Sequence, residues 1–203
     1  MNKIRVRNNN RINENVLKSI DKLRVNMEFV APDKKVVVVT SAGDREGKSF
    51  VAYQLACMEA VHDKKVLLMH MDFRKGVGNK KKTLEGVAQV VEGKTDVSSV
   101  MYKTDIRNMY MIFGGTDIDG ASSVVENPRF EKLMNWFKNK FDYVIIDTST
   151  VGKSSDVAVI CSKCDGAIMV TESGSVSYKK VQNAIEQIEM AGCEVIGAVI
   201  NHR

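Results

Sequence analysis

No stretch of this chain approaches the ~18 consecutive apolar residues that a membrane-crossing helix needs. A secretory signal is missing as well. Lys3, Arg5, Arg7 and Arg11 lie among asparagines with no apolar segment behind them. Cysteine is sparse. Cys57, Cys161, Cys164 and Cys193 sit in apolar surroundings and read as small buried hydrophobes of a reducing, cytoplasmic compartment. Cys161-Ser-Lys-Cys164 spells C-x-x-C, but no second pair or histidine cluster accompanies it. An i,i+3 spacing on a buried helix face explains it without redox or zinc chemistry. Strong charge is lacking too. The net +5 is modest, and Lys80-Lys81-Lys82, Lys179-Lys180 and the basic N-terminus are short, separate clusters. They read as solvated faces, with weak attraction to anionic lipid as the sharper alternative, and no nucleic-acid partner is expected. There are no internal repeats, and the Asn8-Asn9-Asn10 run is the sole low-complexity block.

What is present is an ordinary globular composition, 44% apolar and 27% charged over 203 residues, enough for one domain with a full core. Residues 1–12 read as a flexible basic arm, and residues 13–203 as a single nucleotide-binding domain. The segment 13–29 places Val16, Leu17, Ile20, Leu23 and Met27 at helical spacing. From Lys35 onward strands and helices alternate. Apolar strand runs are Val36–Thr40, Val66–Met71, Met109–Phe113, Tyr143–Asp147, Ala167–Thr171 and Val195–Asn201. Helical segments fall around 48–62, 83–92, 128–140, 154–163 and 176–191, the third opened by Asn127-Pro128. Such alternation predicts an α/β fold of the P-loop NTPase kind. Its doubly wound, mostly parallel sheet would carry helices on both faces and bind ligands at the carboxyl ends of the strands.

One segment carries the chemistry. Ala42-Gly43-Asp44-Arg45-Glu46-Gly47-Lys48-Ser49 is one residue away from G-x-x-x-x-G-K-[ST], with Ala42 where the first glycine usually stands. A β-branched run precedes it and an apolar-striped helix beginning near Phe50 follows. Strand, loop and helix start therefore fall in the order a phosphate-binding loop needs. Backbone N–H groups from Gly43, Asp44, Arg45, Glu46 and Gly47 through Lys48, Ser49 and Phe50 would point at the phosphates of ATP or ADP, aided by the helix dipole. Lys48 would reach the β- and γ-phosphates, and the Ser49 hydroxyl would ligate Mg²⁺. Tyr143-Val144-Ile145-Ile146-Asp147 is a Walker-B pattern: a buried strand carrying a carboxylate to the sheet edge, where Asp147 can hold Mg²⁺. The bland alternative, an aspartate capping the next loop, fits less well beside Lys48-Ser49.

Val66-Leu67-Leu68-Met69-His70-Met71-Asp72-Phe73-Arg74 resembles the second Walker motif, apolar residues then D-x-D-x-R, of the bacterial P-loop protein-tyrosine kinases that control capsule and exopolysaccharide synthesis. Further segments resemble that family in the same order. They are Leu23–Phe29, Asn127-Pro128-Arg129-Phe130, Phe141–Thr148 and Gly197-Ala198-Val199-Ile200-Asn201. The resemblance implies an ATP- and Mg²⁺-dependent tyrosine kinase. In it Asp72 holds the metal or orients the attacking hydroxyl, Asp147 completes the metal site and Asn201 contacts the adenine. It also implies a protein tyrosine substrate and a membrane-anchored adaptor whose cytoplasmic tail activates the kinase and recruits it to the inner face of the plasma membrane.

Four departures from the family pattern matter. His70 stands where the first aspartate of that motif belongs; it is a poor Mg²⁺ ligand, though an imidazole could act as a base. Ser149 and Thr150 replace two prolines, which predicts a looser loop beside the metal. The ring-forming E-x-x-R-x-x-R reads Lys18-x-x-Asp21-x-x-Arg24, so the expected self-association is weak. The sequence ends at Arg203 without a tyrosine cluster. Two readings stay open: an active kinase, and a catalytically weak ATP-binding regulator of the same fold. A partition or septum-site ATPase is disfavoured, because that class carries a lysine where this chain has Gly43.

Overall fold

The computed structural model of the chain describes residues 2–6, 12–71, 85–115, 121–153 and 156–202. In order, the elements are β1 (Asn2–Ile4), α1 (Glu14–Val30), β2 (Val36–Ser41), α2 (Lys48–Val61), β3 (Val66–His70), α3 (Val87–Val91), α4 (Val97–Val100), β4 (Met101–Thr104), β5 (Met109–Phe113), α5 (Ala121–Val125), α6 (Pro128–Lys140), β6 (Tyr143–Asp147), α7 (Asp156–Cys161), β7 (Gly166–Glu172), α8 (Tyr178–Met190) and β8 (Val195–Asn201). The strands form one sheet in the order β1-β4-β5-β3-β6-β2-β7-β8. Every pairing is parallel except β4 with β5.

The valine run explains why β2 is central. All six of its residues are buried, as a strand covered on both faces requires. Val37 and Val39 pack with Ile20 and Met27 of α1 and Val51 and Leu55 of α2. Val36 and Val38 face the opposite layer, built on Val87, Val124, Phe130, Phe137, Ile160 and Ile188 of α3, α5, α6, α7 and α8. The period of two along the strand thus separates the two helical layers. β2 lies between β6 and β7, so the chain winds away from it in both directions. That places a crevice at its carboxyl end.

Helix starts follow local chemistry. Asn127 accepts from Arg129 N–H at 3.0 Å and Pro128 occupies the first turn of α6, while Lys138 and Lys140 sit in its last turn. No helix among the described residues is long and apolar enough to cross a membrane.

The sheet also departs from the sequence expectation at one edge. Asn2–Ile4, expected as part of a loose arm, pairs in parallel with β4. Asn2 Nδ2 donates to the Ser99 carbonyl at 2.9 Å, and the Val6 N–H to Asp105 Oδ1 at 3.1 Å. Backbone pairing along an open edge suffices here without apolar alternation. β4, α4 and α5 were also not anticipated, each being only four or five residues long. Of the C-x-x-C pair, Cys161 ends α7 and Cys164 lies in the turn after it. All four thiols are free.

Candidate functional site

Residues 42–47 form the loop between β2 and α2. Its shape demands left-handed backbone at two places, Arg45 (φ 59°) and Gly47 (φ 94°). The positive φ favours glycine at position 47, where an added Cβ would also push aside Asn201 Nδ2, 2.6 Å away. Ala42 is buried and fits where a glycine was expected. The Lys48 side chain is only 4% exposed as α2 begins. Phe50, two residues on, is half-exposed.

Parallel pairing brings the other predicted residues to the same edge. Val39 of β2 and His70 of β3 both register with Asp147 of β6. Asp147 is buried, and its two oxygens are divided. Oδ1 accepts from Ser49 Oγ at 3.1 Å, and Oδ2 lies 2.7 Å from His70 Nδ1. Ser49 and Asp147, 98 positions apart in the chain, therefore present two hard oxygen donors side by side. That donor set fits Mg²⁺, and the adjoining loop with its buried lysine fits a phosphate chain. Asp72 lies outside the described residues, as do Lys80-Lys81-Lys82.

Glu46 behaves differently from its neighbours. Its side chain is fully buried and committed to bonds within the protein. Oε2 accepts from the Gly43 N–H in a short hydrogen bond. Oε1 accepts from Ser175 Oγ at 2.6 Å, Thr171 Oγ1 at 3.1 Å and the Glu172 N–H at 3.2 Å. Only its backbone remains for a phosphate. Asn201, implied as an adenine contact, donates from Nδ2 to the Glu46 carbonyl at 3.2 Å and so braces the loop from β8.

The segment after β6 is tied down, contrary to the looseness expected from Ser149 and Thr150. Both are buried. Thr150 Oγ1 lies 3.2 Å from the Gly43 carbonyl and 3.0 Å from Asp44 Oδ1. The Ser149 carbonyl accepts from Thr40 Oγ1 at 2.8 Å. Hydroxyls replace the stiffness of proline with cross-links, which a motif comparison does not register. Lys153 adds an ion pair to Asp44 Oδ2. That bond, the Thr150 hydroxyl and the charge of Lys48 hold the Asp44 carboxyl below its ordinary range.

Comparison with known proteins follows the same lines. A family model described as AAA domain matches residues 34–196. The tyrosine-protein kinase CpsD of Streptococcus agalactiae is 32% identical over 183 residues, spanning 88% of this chain and 80% of that protein. The kinase domain of the Escherichia coli tyrosine kinase ETK superposes with a TM-score of 0.86 at 24% identity, covering 98% of this chain and 82% of that one. The septum site-determining protein MinD from Pyrococcus horikoshii, complexed with Mg-ADP, is more distant. Its TM-score is 0.64 at 20% identity, over 82% of this chain and 70% of that one. At those identities the two structures speak to the fold alone: a P-loop NTPase sheet.

Proposed function

This chain belongs to the AAA-domain family and, within it, to the bacterial P-loop tyrosine-protein kinases, and from that premise we propose that it transfers the γ-phosphoryl group of ATP to a protein tyrosine hydroxyl. The observation that carries the reading is the 3.1 Å approach of Ser49 Oγ to Asp147 Oδ1 beside buried Lys48. Ser49, Asp147 and, by family resemblance, Asp72 would hold Mg²⁺, which when bound neutralises charge on the β- and γ-phosphates. Lys48 and the amides of residues 44–50 would bind and orient the phosphate chain; the Gly43 N–H, expected from the motif to join them, is taken by the Glu46 carboxylate instead. The Asp147 carboxylate can only accept, so His70 Nδ1 donates to it and the ring's other nitrogen, Nε2, is the one not engaged by Asp147. That nitrogen could take the tyrosine proton as a general base. Asn201, at the end of β8, is the candidate adenine-side residue.

Motif resemblance supports the wider setting. The process is capsule or exopolysaccharide assembly, and a membrane-anchored adaptor's cytoplasmic tail activates the kinase at the inner face of the plasma membrane. One observation favours a second reading, a nucleotide-binding regulator with weak catalysis: His70 engages Asp147 Oδ2, an oxygen a metal could otherwise use. Calorimetric titration with ADP, with and without Mg²⁺, tests the shared premise. The expected result is binding that tightens when Mg²⁺ is added. Identical affinity in both conditions would remove the metal site.

A further inference from the structure

We infer that Glu46 is a positioning residue. Its carboxylate clamps the phosphate-binding loop to the end of β7 and to the connector that follows it, so nucleotide affinity depends on groups there that touch no phosphate. The inference rests on the nucleotide site proposed above. Both oxygens face backbone donors, Gly43 N–H on Oε2 and Glu172 N–H on Oε1. A backbone N–H cannot accept, so the bridging side chain must accept at both ends. An ionised carboxylate does so, whereas an amide has one acceptor oxygen and would turn its NH₂ toward a donor. The hydroxyls of Thr171 and Ser175 complete the Oε1 side. Packing is equally tight. A Cβ at Gly43 would lie 3.0 Å from Glu46 Cδ and 2.8 Å from Val176 Cγ1, so loop and connector share one contact. Ser173, Gly174 and Ser175 of the connector are exposed, while the carboxylate that Ser175 bonds is not. A displacement of this surface segment therefore reaches the Gly43 N–H through the Glu46 carboxylate.

The test is ADP affinity by calorimetry for the parent, Glu46→Gln, Ser175→Ala and the double variant, well below every melting temperature. Glu46→Gln is expected to weaken ADP about tenfold, the scale of one lost charge-assisted hydrogen bond. Ser175→Ala should weaken it by about threefold, and the double variant no more than Glu46→Gln alone, because both act through one link. In turnover, Glu46→Gln should raise KM for ATP while kcat at saturation changes by less than about threefold. Should Glu46→Gln fail to fold, Ser175→Ala, a change at an exposed residue, still decides the matter. Equal ADP affinity in the parent and Ser175→Ala overturns the clamp. A parent that binds no ADP removes the nucleotide site itself, and the clamp's function with it.

Discussion

His70 Nδ1 lies 2.7 Å from Asp147 Oδ2 at the carboxyl ends of neighbouring strands. The pairing follows from the register of β3 on β6, which sets those two residues opposite each other. A histidine at this place does two things that aspartate would not. It gives a buried carboxylate a hydrogen-bonded partner without any metal, and it withholds one oxygen from a metal.

Replacing the histidine should therefore expose that trade. In His70→Asp two carboxylates would face each other at hydrogen-bond range, a repulsion that a divalent cation relieves. The variant is expected to melt at a lower temperature without Mg²⁺ and to gain more nucleotide affinity from Mg²⁺ than the parent. Thermal melts and calorimetry across a Mg²⁺ series measure both. A phosphotransfer rate that falls in this variant would assign His70 its own task as a base.

Lys48 should dominate phosphate affinity. Its side chain is almost wholly buried where α2 begins. Lys48→Met is expected to weaken ATP–Mg²⁺ binding by about 2–4 kcal/mol, the range for truncating a desolvated charge contact. Unchanged calorimetric binding would contradict the phosphate-loop assignment.

Glu59 supplies a pH dependence. It is a fully buried residue of α2, and neither carboxylate oxygen has a hydrogen-bond partner among the described residues. Burial, with the Glu28 charge adding and Arg24 and Lys64 opposing, pushes its carboxyl up to about 7. A raised carboxyl contributes stability that is complete below its unfolded value near ~4.3 and fades as pH rises through the folded value. Glu59→Gln mimics the neutral form and should melt progressively higher than the parent as pH is raised from 5 to 8. A melting difference that stays constant over that range would refute the assignment.

Self-association is expected to be weak. Arg24 is buried and already satisfied within its own helix, with Nε 2.9 Å from Asp21 Oδ1 and an Nη 2.9 Å from Glu28 Oε2. A guanidinium so engaged is poorly placed to bind a neighbour's carboxylate. Light scattering at micromolar concentration should report a monomer or weak dimer. A large closed ring, abolished by Asp21→Lys, would restore head-to-tail assembly.

Much of this was readable from residues, for physical reasons. Val36–Ser41 and Tyr143–Asp147 announce themselves because strands buried on both faces must be continuously apolar. Gly47-Lys48-Ser49 and Asp147 carry their chemistry in a fixed spacing. β1 and β4 stayed invisible because three- and four-residue strands show too few repeats of a period. The inward turn of Glu46 was equally hidden. Its partners Thr171 and Ser175 lie 125 and 129 positions away, and only the sheet brings them together. Thr150 reads in the sequence as loosening its loop because the lost proline is visible there and the hydroxyl's neighbours, the Gly43 carbonyl and Asp44 Oδ1, are not.

Phosphoamino-acid measurement tests the central claim most directly. The purified protein is incubated with γ-labelled ATP, Mg²⁺ and a tyrosine peptide, with and without an adaptor tail, beside Lys48→Met. Label on tyrosine in the parent, increased by the tail and absent from Lys48→Met, is the predicted result. ATP bound with Mg²⁺ but no label on tyrosine under either condition would contradict the kinase and leave the nucleotide-binding regulator in its place.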